Sequence, residues 1–132
     1  ENRNFSKKCK KKLITFVQLL SPTTTKSRMK KIIHDSQEMI YYISMLSTTG
    51  AKLKVAPSRI MNDYKKIKKL IKNKSLVIGF GITSKNISSF KLSDGCVVGS
   101  EICKNISKSI EKRQNPVTNL RKMVYKLKNR II

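Results

Sequence analysis

Leu76-Val-Ile-Gly-Phe-Gly-Ile82 and, shortly after it, Asp94-Gly-Cys-Val-Val-Gly-Ser100 decide the fold. Each is a β-branched, apolar run that closes on glycine. An apolar run without alternation is what a strand looks like when both of its faces are covered, as in a parallel sheet. Two earlier runs have the same character, Leu13-Ile-Thr-Phe-Val-Gln-Leu-Leu20 and Met39-Ile-Tyr-Tyr-Ile-Ser-Met45. Strands are therefore expected near 13–20, 39–45, 76–82 and 95–99.

The segments between these runs read as helices. Thr23 to Thr25 offer capping hydroxyls, after which Met29, Ile32 and Ile33 recur at helical spacing. Ile60, Tyr64, Ile67 and Ile71 make one face of a second helix, which Pro57 opens. Thr83 or Ser84 can cap a short helix burying Ile87 and Phe90. A C-terminal helix opened by Asn115-Pro116 carries Val117, Leu120, Val124, Leu127 and Ile131 as an expected core face. Consecutive βα units imply right-handed crossovers and an α/β architecture, either a doubly wound sheet or a (β/α)8 barrel. The glycines separate the two. Gly79, Gly81 and Gly99-Ser100 lie at the C-terminal ends of the last two runs, where barrels place phosphate between two strand-to-helix loops and the start of a short helix. A dinucleotide fingerprint would need GxGxxG after the first strand, and the sequence has none there. A TIM barrel is expected, with this chain supplying about its last four βα units. Residues 1–132 then form the C-terminal half of a single barrel domain.

Composition narrows the function classes. Against 30 Lys+Arg stand 7 Asp+Glu, a formal net charge of +23, which invites a nucleic-acid reading. The excess is mostly Lys and travels with Ile and Asn, whose codons are A/T-rich. Genome bias accounts for that pattern, and no helix-turn-helix, zinc-finger or RNP signature accompanies it. The same bias places the protein in a plastid or chloroplast stroma or, alternatively, in the cytoplasm of an A/T-rich bacterium. Apolar runs fall well short of the roughly 20 residues that cross a bilayer. Cys9, Cys96 and Cys103 lack metal-ligand spacing and are odd in number, so neither zinc nor a disulfide framework is expected.

The chemistry concentrates at the glycines. A missing Cβ at Gly81 and Gly99 lets the main chain approach phosphate oxygens, and Ser100 adds a hydroxyl at a helix start. The loop Leu46 to Ala56 is long for its place and suits an active-site lid. Tyr41 and Tyr42 must point to opposite faces of their strand, in an order the sequence leaves open. His34 has no partner of metal-ligand type nearby and reads as structural or solvated. No carboxylate suits general acid/base work: Asp35, Glu38 and Asp94 fall at the opposite end of the sheet, and Asp63 and Glu111 in the outer layer. Glu101 sits at the correct end but beside the phosphate, which it would repel. With Glu1 and not Met at its start, the chain is expected to be the downstream part of a longer enzyme.

Ser21-Pro-Thr-Thr-Thr-Lys-Ser-Arg-Met29, Tyr41-Tyr-Ile-Ser44 with Thr49-Gly-Ala51, Ile78-Gly-Phe-Gly-Ile82 and Asp94 to Ser100 together resemble, in order, successive blocks of the tryptophan synthase alpha subunit. The resemblance implies a lyase of tryptophan biosynthesis, cleaving indole-3-glycerol phosphate to indole and glyceraldehyde 3-phosphate. It implies that Gly50, Gly81, Gly99 and Ser100 bind the substrate phosphate, that Phe80 and Tyr41 line the substrate pocket, and that Thr49 closes the loop on a catalytic aspartate. That aspartate and a catalytic glutamate are expected upstream of Glu1, leaving this segment inactive alone. Ser47 replaces a loop glycine of the family and Glu101 a small neutral residue. No cofactor is expected in this subunit; pyridoxal phosphate belongs to the beta subunit, its partner in an alpha2-beta2 tetramer. The other readings are a small basic nucleic-acid-binding protein and a different phosphate-binding barrel of amino-acid biosynthesis.

Overall fold

Three strands pair side by side in chain order, all parallel: β1 (Gln18–Leu20), β2 (Met39–Ile43) and β3 (Ser75–Gly79). The computed structural model describes residues 2–44 and 55–131. Helices α1 (Asn2–Lys11), α2 (Lys26–Asp35), α3 (Pro57–Lys68), α4 (Ser100–Glu111) and α5 (Pro116–Lys128) accompany the strands, with a 3-10 turn at Ile87–Phe90. Parallel neighbours need a crossover between them, and α2 and α3 provide it.

Register assigns each face. Leu20, Tyr42 and Ile78 lie side by side and are 0%, 1% and 0% exposed. Against them pack Ile60, Tyr64 and Ile67 of α3, with Ile71, Ile87 and Phe90, so the stripes expected on α3 and the short turn are core. Burying an aliphatic side chain of this size contributes about 1.5–3 kcal/mol. One residue out of step, Leu19, Tyr41 and Val77 form a row on the other face. There Leu19 remains 56% exposed and Val97 41%. That face is the interior of a closed barrel, which side chains from all the strands fill.

Helix starts follow the expected chemistry. Thr25 caps α2 by accepting from the Arg28 N–H, and Pro57 occupies the first turn of α3. The Asn115 side chain accepts from the N–H groups of Val117 and Thr118, with Pro116 next to it.

Several expectations need correction. The strand expected at 13–20 is reduced to Gln18–Leu20, because α1 runs to Lys11 and the chain must first leave it. Leu13 turns that corner at φ 57° while Ile14 N–H reaches back to the Cys9 carbonyl at 3.0 Å. The run at 76–82 stops pairing at Gly79, since Phe80 and Gly81 take φ values of 70° and 69°, incompatible with a strand. At 95–99 pairing shrinks to one parallel bridge, Cys96 to Ile78, before α4 begins at Ser100. Of the run at 39–45, Met45 lies outside the described residues. In α5, Asn119, Met123 and Leu127 form the inward row, so Val117 and Val124 are turned to solvent. Neither Thr83 nor Ser84 caps the 3-10 turn by its side chain; Asn86 precedes it and its Oδ1 accepts from Thr83 N–H at 2.8 Å.

Candidate phosphate-binding site

At the C-terminal end of β3 the chain turns sharply through Phe80 and Gly81. A left-handed φ suits glycine and strains phenylalanine, so the turn persists only where its surroundings hold it. Ser44, buried just beyond β2, donates its hydroxyl to the carbonyls of Gly79 and Phe80, each at 2.8 Å, and its N–H to Gly79 at 3.1 Å. From the other side Asn86 Nδ2 donates to the Gly81 carbonyl at 2.9 Å. Both turn carbonyls are thereby tied down.

Tyr41 is the interior-facing tyrosine, and Tyr42 the buried one. A Cβ at Gly79 would overlap the Tyr41 ring, so that glycine serves ring packing and not the turn. Burial pushes the Tyr41 phenol above its ordinary value, an effect the Phe80 backbone partly offsets. Tyr42 is pushed up to about 12 by burial and then by Asp63. Neither ionises near neutral pH.

The second half of the site is the start of α4. Cys96 pairs beside β3, with Ile78 N–H donating to Gly95 at 2.9 Å and Val97 N–H to Ile78 at 2.7 Å, which brings Gly99 to the same end as Gly81. Gly99 precedes the helix and supplies no capping side chain. Its φ of −110° is open to any residue, and a Cβ added there would meet no atom within 4 Å. Protein packing gives no reason for glycine at this position. A helix start whose N–H groups lack a side-chain cap, fronted by open space and followed by the Ser100 hydroxyl, is suited to an anion.

Glu101, in the first turn of α4, is engaged by the loop after β3. Its carboxylate accepts from both the N–H and the hydroxyl of Ser84, the latter at 2.5 Å. Arg130, beyond α5, donates to the Ser84 carbonyl. These contacts lock the loop after β3 to the first turn of α4. Sequence reasoning missed Ser44, Asn86, Ser84 and Arg130 as supports; only Asn86, three residues after Thr83, leaves a local turn signature.

Thr49, Gly50 and the loop position Ser47 lie outside the described residues. Among the described residues no group of three or more His, Cys, Asp or Glu could hold a metal ion, and no helix is long and apolar enough to cross a membrane. His34 is solvent-exposed, with Nδ1 2.9 Å from Asp35. Asp94 stands at the opposite end of β3, accepting from Leu76 N–H at 2.7 Å and from Lys68 Nζ at 2.6 Å.

Comparison with known proteins places the sequence and the fold. The family model for the tryptophan synthase alpha chain matches residues 1–132. The alpha chain of Pelagibacter ubique (strain HTCC1062) is 65% identical over 131 residues, 99% of this chain and 49% of that protein. That of Aquifex aeolicus (strain VF5) is 38% identical over 117 residues, 85% of this chain and 44% of that one. The crystal structure of the alpha subunit from Legionella pneumophila superposes with a TM-score of 0.81 at 23% identity, covering 97% of this chain and 46% of that one. The sheet is thus part of a TIM barrel, and the chain spans about half the length of the curated relatives it matches. These relatives are bacterial, which gives the plastid expectation no support. By its sequence from end to end and by its fold, the chain belongs to the tryptophan synthase alpha chain family.

Proposed function

We propose that the protein carrying this chain cleaves indole-3-glycerol phosphate to indole and glyceraldehyde 3-phosphate, a lyase step of tryptophan biosynthesis, and that this half supplies the phosphate grip. The observation that carries the reading is Gly99: a glycine that neither backbone conformation nor packing demands, at the uncapped start of α4. Phosphate seated there meets the positive end of the helix and the Ser100 hydroxyl, with Gly81 on the neighbouring turn and Gly50 closing from the lid. Phe80 packs over the substrate, Tyr41 borders the pocket from the barrel interior, and Thr49 holds the lid shut. Among the described residues no carboxylate faces the substrate as a general acid or base, and the catalytic glutamate and aspartate come from the other half of the barrel.

This subunit works without a cofactor of its own. It hands indole to a pyridoxal-phosphate beta subunit in an alpha2-beta2 assembly, in the cytoplasm of a bacterium. Indole release from indole-3-glycerol phosphate by the full-length protein tests the reading. Activity that rises on adding a beta subunit and is absent from residues 1–132 alone is expected. Full-length protein that folds but releases no indole, with or without beta subunit, overturns it.

A further inference from the structure

The phosphate grip is assembled from two pieces that are separate in the chain, the Phe80–Gly81 turn after β3 and the start of α4. An anion held between two such pieces is bound only as well as their spacing is fixed. Ser44 ties the turn to β2, and Asn86 folds the loop back onto Gly81, but neither residue reaches α4. Among the described residues, the hydrogen bonds that join this loop to α4 run through Glu101, whose two oxygens accept from the N–H and the hydroxyl of Ser84. Arg130 takes the Ser84 carbonyl, so every polar group of Ser84 is held by side chains 17 or 46 positions away.

The surrounding charge does not dictate this arrangement. Asp63 and Asp94 each meet a lysine, at 3.5 and 2.6 Å. Glu101 shares a groove with Lys104 of its own helix and yet gives both oxygens to a neutral serine. A carboxylate in the first turn of a helix is drawn to the free N–H groups there, the place that a phosphate needs. Held on Ser84, Glu101 bonds the loop instead, and the start of α4 keeps no side-chain cap.

We propose that Glu101 is a positioning residue for the substrate phosphate. Through Ser84 it fixes the spacing between the Gly81 turn and the start of α4, and it keeps its own charge off the helix N–H groups. This role rests on the phosphate reading above and deepens it. Repulsion between Glu101 and the phosphate acts against the hold, and the sign of the net effect on affinity tells which prevails.

Calorimetry with glycerol 3-phosphate on the full-length protein separates hold from charge. Glu101→Gln removes the charge and keeps an acceptor for Ser84, whereas Glu101→Ala removes both. Glu101→Gln should bind at least as tightly as wild type, and Glu101→Ala about fivefold or more weaker than Glu101→Gln. Adding Ser84→Ala to each should narrow that gap, because the two residues act as one unit. Glu111→Ala, which takes a carboxylate from the far end of α4, should change affinity by less than about twofold. Urea midpoints confirm that each variant is folded, and Glu101→Gln recovering the affinity that Glu101→Ala loses marks positioning, not general stability. Glu101→Ala binding as tightly as Glu101→Gln overturns this proposal alone, since wild-type binding still supports the phosphate reading. Wild-type protein that binds no glycerol 3-phosphate overturns both.

Discussion

The two ends of this short sheet are built to different purposes. At the lower end the chain ties itself closed. Asp94 joins the start of β3 to Lys68 and Tyr64, with its own N–H donating to the Tyr64 hydroxyl at 2.9 Å. Lys74 Nζ donates to the carbonyls of Ile33 and Ser36 at 2.5 and 2.6 Å, satisfying groups that the end of α2 leaves open. At the upper end equally specific contacts through Ser44, Asn86 and Glu101 hold a strained turn beside a bare helix start. Polar groups at the lower end stabilise the fold, whereas those at the upper end stabilise an opening. Barrel enzymes divide their labour this way, with loops at the C-terminal face doing chemistry.

The largest loss of stability is expected from Asp94→Ala in the full-length protein. It removes a carboxylate bonded to a cation, an N–H and a phenol, at a cost of roughly 2–3 kcal/mol, with little effect on glycerol phosphate affinity. Urea midpoints and calorimetry on one preparation separate the two quantities; a fall in affinity without a fall in stability would erase the distinction between the ends.

Asp94 also sets a pH signature. Burial raises its pKa, but Lys68, the Leu76 N–H and Tyr64 outweigh burial and hold it below 3.8. A carboxylate depressed on folding stabilises above its unfolded pKa and loses that contribution as pH falls through the folded one. The stability gap between wild type and Asp94→Asn should therefore be full at pH 5 and above, and close as the medium is acidified below 4. A gap that widens in acid would show that the carboxylate is not held by cations and donors.

Ser44→Ala should fall between the ends in effect. The Phe80 carbonyl loses its donor and the Gly79 carbonyl keeps only the Ser44 N–H, costing roughly 1–3 kcal/mol, and because Phe80 opens the left-handed turn, ligand affinity should fall too. The smallest stability change belongs to Gly99→Ala, below about 1 kcal/mol, since the added methyl meets no protein atom. Its affinity for glycerol phosphate should nonetheless drop about tenfold or more, equivalent to about 1.4 kcal/mol or more. Stability and binding thus respond in opposite proportion for Asp94 and Gly99.

Much of the upper end was readable from local sequence. Glycines at strand ends, a serine opening a helix and unbroken β-branched runs are signals confined to a few residues, and they placed β2, β3 and α4. The lower boundary of β1 was not readable, because the apolar run from Leu13 hides a helix exit whose only mark is a left-handed Leu13. Helix α1 itself is strongly basic, and its apolar side is carried by little more than Phe5 and Cys9. The supports of the site were hidden for a different reason. Glu101 finds Ser84 across 17 positions and Ser44 finds Phe80 across 36, and such pairings exist only once the sheet has brought separate loops to one end. Glu101 shows what geometry adds to charge: the sequence marks a carboxylate beside the expected phosphate, and the structure adds that it braces the loop after β3.

The most direct test of the central claim, that the upper end is a phosphate grip, is calorimetric titration of the full-length protein with glycerol 3-phosphate, comparing wild type with Ser100→Ala and Gly81→Val. Loss of one hydrogen bond to a charged group should weaken Ser100→Ala by roughly ten- to a hundredfold, and a branched side chain at the left-handed Gly81 should abolish measurable binding. Equal affinity in all three proteins, each confirmed folded, would contradict the account.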